Sequence, residues 1–94
     1  MLFVIYGIDR PGKLETRLAV RPKNIEYLAA SEDKMLVAGP LLKDDGSMAG
    51  SLLIMEFPDR AAAEKWVEQS ILTKNDVYER VEIWPFTKKW PRQP

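Results

Sequence analysis

The apolar positions of this chain fall into blocks whose spacing switches between that of strands and that of helices. Leu2 to Ile8 is apolar at consecutive positions and rich in β-branched and aromatic residues, which predicts a strand buried on both faces, ended by Asp9, Pro11 and Gly12. From Lys13 to Asp33, Leu14, Leu18, Ile25 and Leu28 recur at four, seven and three residues, along one side of a helix. Pro22 interrupts that stretch and predicts either a kink or a short helix followed by a longer one with Pro22 in its first turn. Met35 to Leu42 reads as a strand with Gly39-Pro40 inside it, which suits a bulged edge because proline cannot donate to a ladder. Asp44-Asp45-Gly46 marks a turn, and Ser51 to Phe57 is a third strand, again apolar on both faces. Pro58-Asp59 opens a helix with Asp59 as N-cap and Ala62, Ala63, Trp66 and Val67 as its buried stripe. Ser70 to Tyr78 is irregular or a short helical turn. In Arg80 to Phe86, Val81, Ile83 and Pro85 alternate with Glu82, Trp84 and Phe86, predicting a last strand before the tail TKKWPRQP.

The resulting order, βαββαβ, is the α+β ferredoxin-like split unit: a four-stranded antiparallel sheet with two helices on one face. Its first and third strands are central and its second and fourth are edges, which matches doubly apolar runs at the first and third and prolines at the second and fourth. Two helices cover one face only, and an uncovered face normally alternates with polar residues. Here Leu2, Val4, Tyr6, Leu52 and Ile54 point away from Phe3, Ile5, Leu53, Met55 and Phe57. Each large apolar side chain is worth roughly 1.5–3 kcal/mol on burial, so the expected cover is a second copy, a homodimer packed sheet to sheet.

Composition narrows the chemistry. Ninety-four residues predict one domain. With no Cys there is no disulfide, thiolate metal site or cysteine nucleophile, and with no His the commonest general base and metal ligand is gone. Fourteen basic residues balance fourteen acidic ones, which argues against a nucleic-acid partner. The first apolar run is too short for a signal peptide or membrane span, so a cytoplasmic protein with no membrane partner is expected. Asp44 and Asp45 fall far short of a calcium ligand set, a hairpin turn explains them, and neither metal nor cofactor is expected. Trp90, flanked by Lys88, Lys89 and Arg92, is expected to pack on the partner subunit or on its own sheet.

The informative polar set is Arg17, Arg21 and Asn24, spaced by four and three and so on one helix strip beside the apolar stripe. Guanidinium groups at the margin of a core hold carboxylates or phenolates bidentately; the alternative is structural pairing with Glu15, Glu26, Glu56 or Glu82. Asp9 and Tyr6, at the end of the first strand, are the candidate acid–base groups for a small acidic substrate held by those arginines. The alternative is that Asp9 caps the turn before Pro11 and that Tyr6 belongs to the core.

The stretches LFVIYGIDRPG, RLAVRPKNIEYL, VAGPLLKDDG with GSLLIMEF, AAAEKWV and VYERVEIWPF together resemble the YciI-like (YCII-related) domain family over about residues 1–89, leaving 90–94 as a tail. The resemblance implies the dimeric α/β-barrel version of the ferredoxin-like fold. It also implies a catalytic His and Asp, a couple that in one class of members removes chloride from a chlorinated hydroxyquinol. Asn24 stands at the His position and Ser70-Ile71-Leu72 at that of an Asp-Pro-Tyr segment, and neither an amide nor a lone serine replaces the lost base. The expected function is therefore a small-molecule-binding protein without that couple, holding an anionic or aromatic ligand with Arg17, Arg21, Asn24 and Ser70. The alternatives are a lyase, isomerase or dehalogenase working through Asp9 or Tyr6, and a structural module whose cleft is filled by core side chains.

Overall fold

The computed structural model describes residues 1–92. Its strands are β1 (Leu2–Asp9), β2 (Met35–Leu42), β3 (Met48–Glu56) and β4 (Tyr78–Phe86), and its helices are α1 (Leu14–Ala19), α2 (Arg21–Ala29), α3 (Arg60–Glu68) and α4 (Ile71–Lys74). The strands pair antiparallel in the order β2-β3-β1-β4. The two doubly apolar strands thus occupy the middle and the two proline-bearing strands the edges, as the ferredoxin-like unit requires. Phe3 pairs with Met55 and Ile5 with Leu53, and these four side chains form the core with Phe57, Ala63 and Val67. Asp59 accepts the Ala62 N–H at 2.8 Å and caps α3, which sets its Ala63 and Val67 face on the sheet.

Pro22 stands in the first turn of α2, where its missing N–H has no partner to lose; Val20 closes α1 and opens α2. The helical apolar stripe is corrected in part: Leu28 packs against the core, but the rest of the stripe does not. Leu18 and Ile25 are each 49% exposed, whereas Arg17 is 6% exposed and is the buried residue of α1. The short helix turns its arginine toward the sheet because the sheet offers that group acceptors, described below. α2 is fastened to α3 instead by Tyr27 and Trp66. Their rings lie 5.0 Å apart, the Tyr27 hydroxyl donates to the Trp66 carbonyl at 2.7 Å, and the Trp66 indole donates to the Ser31 hydroxyl at 3.0 Å.

Further differences are local. β3 starts at Met48, earlier than its apolar run, and Ser70 to Tyr78 holds the short helix α4 and the first residue of β4. The irregularities of β2 fall between Met35 and Val37 and between Leu41 and Leu42, on either side of Gly39-Pro40. Asp45 shapes the β2–β3 turn by accepting the Ser47 backbone N–H and hydroxyl at 2.9 and 2.6 Å. Trp90 does not pack on its own sheet: it is exposed, with the Arg92 guanidinium 4.4 Å from its ring centre. Gln93 and Pro94 of the tail lie outside the described residues. Among the described residues no helix is long and apolar enough to cross a membrane.

Candidate functional site

A one-residue irregularity builds the site. β4 pairs with β1 in steady register from Leu2–Phe86 to Ile8–Arg80, and then Asp9 pairs with Tyr78, so Glu79 is the extra residue of a bulge. Bulges re-aim side chains, and this one puts Tyr78 on the same face as Gly7 and Val81, toward the helices. Gly7 is the residue that admits it, because a Cβ there would lie 2.5–2.9 Å from three carbons of the Tyr78 ring. The phenol then reaches across the sheet and donates to the Ser51 hydroxyl at 2.8 Å.

Ser51 accepts a second hydrogen bond, from Nη2 of Arg17 at 2.8 Å. The same nitrogen donates to the Gly50 carbonyl at 3.0 Å, and Nη1 donates to both carboxylate oxygens of Asp9 at 2.9 and 3.0 Å. The Arg17 and Asp9 side chains are each 7% exposed, so the pair is a buried ion pair satisfied by further hydrogen bonds. Burial raises the Asp9 carboxyl above its ordinary value while Arg17 pulls it back. Burial likewise raises the Tyr78 phenol, against the opposing effects of the Ser51 hydrogen bond and the Arg17 charge, so at neutral pH Tyr78 is a protonated donor.

Above this network lies a cavity of about 200 Å³. Its floor includes Ser51, Leu53 and Tyr78, one wall comes from Arg21, Asn24 and Ile25 of α2, and Trp66 and Ser70 close the far side. An apolar cavity of about 150 Å³ holds benzene, so this one has room for a single substituted ring. Among the described residues the side chains of Arg21 and Asn24, one helical turn apart, make no hydrogen bond or ion pair. Arg17, by contrast, makes four bonds.

Of the residues singled out from the sequence, Arg17, Arg21, Asn24 and Ser70 all line the cavity. Arg17 pairs with Asp9 and with none of the glutamates considered for it. The Ser70 hydroxyl is engaged as the N-cap of α4, accepting the Thr73 N–H at 3.3 Å and sharing a hydrogen bond with the Thr73 hydroxyl at 2.8 Å. Asp9 reaches the site only through Arg17 and does not cap the turn before Pro11. Tyr6 pairs with Leu52 and Glu82 on the opposite face of the sheet and does not border the cavity. Sequence reasoning missed Ser51 and Tyr78. The one signal for the first is a Gly-Ser step opening an otherwise apolar strand; the second depends on the bulge, which has no local signature.

The chain belongs to the YCII-related domain family, whose model matches residues 1–87. It is 36% identical to protein YciI of Escherichia coli O6:H1 over 96 aligned positions, covering 94% of this chain and 98% of that protein. An uncharacterized protein of Haemophilus influenzae is 34% identical over the same shares. Among solved structures, the 5-chloro-2-hydroxyhydroquinone dehydrochlorinase TftG of Burkholderia phenoliruptrix AC1100, in complex with 2,5-dihydroxybenzoquinone, superposes with a TM-score of 0.90 at 32% identity, covering 99% of this chain and 100% of that one. An antibiotic biosynthesis monooxygenase matches at a TM-score of 0.51 and 18% identity over 94% of this chain and all of that one, a likeness of fold alone.

Proposed function

We propose that this protein binds a small aromatic or anionic molecule in the cavity between the α1–α2 segment and the sheet, with Arg21 and Asn24 as its free polar contacts. The observation that carries this reading is the contrast between the two arginines. Arg17 is consumed by Asp9, Gly50 and Ser51, whereas Arg21 borders a ring-sized cavity with its guanidinium uncommitted. The solved complex of TftG with a dihydroxybenzoquinone supports a planar, oxygen-bearing ligand. A route through Asp9 or Tyr6 is not favoured, since both Asp9 oxygens are bonded to Arg17 and Tyr6 lies across the sheet. A cleft filled by core side chains is equally disfavoured by the open volume. Calorimetric titration with single-ring carboxylates and phenols tests the proposal: Arg21→Ala weakens binding at least tenfold if it holds, and an unchanged affinity sinks it.

The partner is a second copy of the chain, packed through the face without helices. That face carries Leu2, Val4, Leu52 and Ile54 in the middle of the sheet, with Val37 52% and Trp84 60% exposed on its two edge strands. Isolated exposed apolar residues are ordinary, but a contiguous set on a flat sheet is an interface. Sedimentation showing a stable monomer at micromolar concentration removes this part of the reading.

A further inference from the structure

Resting on the binding reading above, we infer that the cavity selects the charge state of its ligand: it takes a ring oxygen as the phenolate, enolate or carbonyl and rejects the neutral hydroxyl. The reason is the direction of the hydrogen bonds at the floor. The Ser51 oxygen accepts from Tyr78 at 2.8 Å and from Arg17 at 2.8 Å, which fills the acceptor capacity of a hydroxyl and leaves it only its own proton to give. That proton is the one free hydrogen of the pair of hydroxyls, and Ser51 borders the cavity. The Arg17 charge acting on the Tyr78 hydroxyl likewise disfavours a further proton donor at that oxygen. The Asp9 carboxylate, the one anionic acceptor of the network, has both oxygens on Arg17. A neutral phenol whose oxygen sits on Ser51 finds no acceptor at the floor for its own O–H, and an unmade buried hydrogen bond is costly. An oxyanion meets a donor strengthened by two others pointing at the same oxygen.

The surroundings agree in sign. The charged residues that border the cavity are Arg17 and Arg21, and its titratable residue is Tyr78. β2, α3 and α4 contribute Pro40, Trp66, Ser70 and other uncharged residues to the wall, and Asn24 is a neutral amide. The network therefore does more than brace the sheet. Asp9 fixes Arg17, Arg17 and Tyr78 saturate Ser51, and Ser51 becomes a fixed donor.

The test uses 4-nitrophenol, whose anion is yellow and whose proton titrates near neutrality, with 4-nitroanisole as a probe that cannot ionise. The full chain is titrated with each across a pH series, and the absorbance of bound 4-nitrophenol reports its charge state. The expected result is that the anion binds at least tenfold more tightly than the neutral phenol, so the bound probe loses its proton about one pH unit below the free one. Tyr78→Phe keeps the ring over Gly7 but returns a lone pair to Ser51, and it is expected to abolish most of that preference while the thermal melt shows the variant folded. Arg21→Gln weakens both forms and lowers the preference only in part. Binding of 4-nitrophenol with an unshifted or raised pKa overturns the inference while leaving the binding site standing. A preference that survives in Tyr78→Phe but vanishes in Arg21→Gln assigns it to the mouth of the cavity and also overturns it. If neither probe binds at any pH, the binding reading fails and the inference falls with it.

Discussion

Removing Asp9 while keeping Arg17 should come close to unfolding the domain. Asp9→Ala strips two of the four hydrogen bonds from a guanidinium whose side chain is 7% exposed, leaving a buried cation that cannot shed its proton. Breaking a buried pair from one side costs about 3–5 kcal/mol. A domain of 94 residues at roughly 0.05–0.15 kcal/mol per residue has about 5–14 kcal/mol in hand. For a domain this size each kcal/mol moves the midpoint by about 4–8 °C, so the expected fall in Tm is about 12–40 °C. The reciprocal variant behaves differently. Arg17→Met leaves Asp9 unpaired, but a carboxyl escapes its burial penalty by taking up a proton. Its folded-state pKa then lies above the unfolded value, the folded state binds the extra proton, and stability recovers as pH falls toward that of an ordinary carboxylate. Asp9→Ala has no such recovery. Urea denaturation of both variants from neutral to mildly acid pH reads out the asymmetry. A loss below about 1 kcal/mol for Asp9→Ala, the range of exposed ion pairs, refutes the assignment of this pair as a buried anchor.

Gly7→Ala forces a Cβ to within 2.5 Å of the Tyr78 ring, and the displaced phenol should lose its bond to Ser51. The overpacking cost is about 1–3 kcal/mol, and pairing this substitution with Tyr78→Ala in a double-mutant cycle should show that most of the cost is absent once the ring is gone. At alkaline pH the tyrosines should destabilise the fold. The folded-state pKa values of Tyr78 and Tyr27 lie above the ordinary one, so their contribution is intact below about pH 10 and is lost as pH rises through the raised values. Tyr78→Phe should flatten the alkaline slope of the melting temperature. Ile54→Lys, in the middle of the uncovered face, should yield a folded monomer by light scattering with circular dichroism unchanged, and a retained dimer would place the interface elsewhere.

The sheet was legible from the chain because its information is local: two runs apolar at every position declare central strands, and prolines declare edges. The site was legible in part. Arg21 and Asn24 emerge from helical spacing alone, since residues three apart share a strip of α2, whereas Arg17 lies across the break at Val20 on α1 and still reaches the same cavity. What spacing does not contain is which of two neighbouring strips faces the sheet. Leu14 and Leu18 carry the hydrophobicity, yet Arg17 goes inward, because Asp9, Gly50 and Ser51, from 8 to 34 residues away in sequence, together supply four acceptor contacts that no apolar contact replaces. Tyr78 is the sharper case. Extending the alternation of Val81, Ile83 and Pro85 back along β4 puts Glu79 inward and Tyr78 outward, and a single extra residue opposite Asp9 reverses both. The bulge places a phenol, and not a second carboxylate, against the Arg17–Ser51 pair. Had the alternation run on unbroken, Glu79 would have offered that pair an acceptor in place of a donor, and the floor of the cavity would have favoured a protonated ligand. The polarity of the site thus follows from one inserted residue.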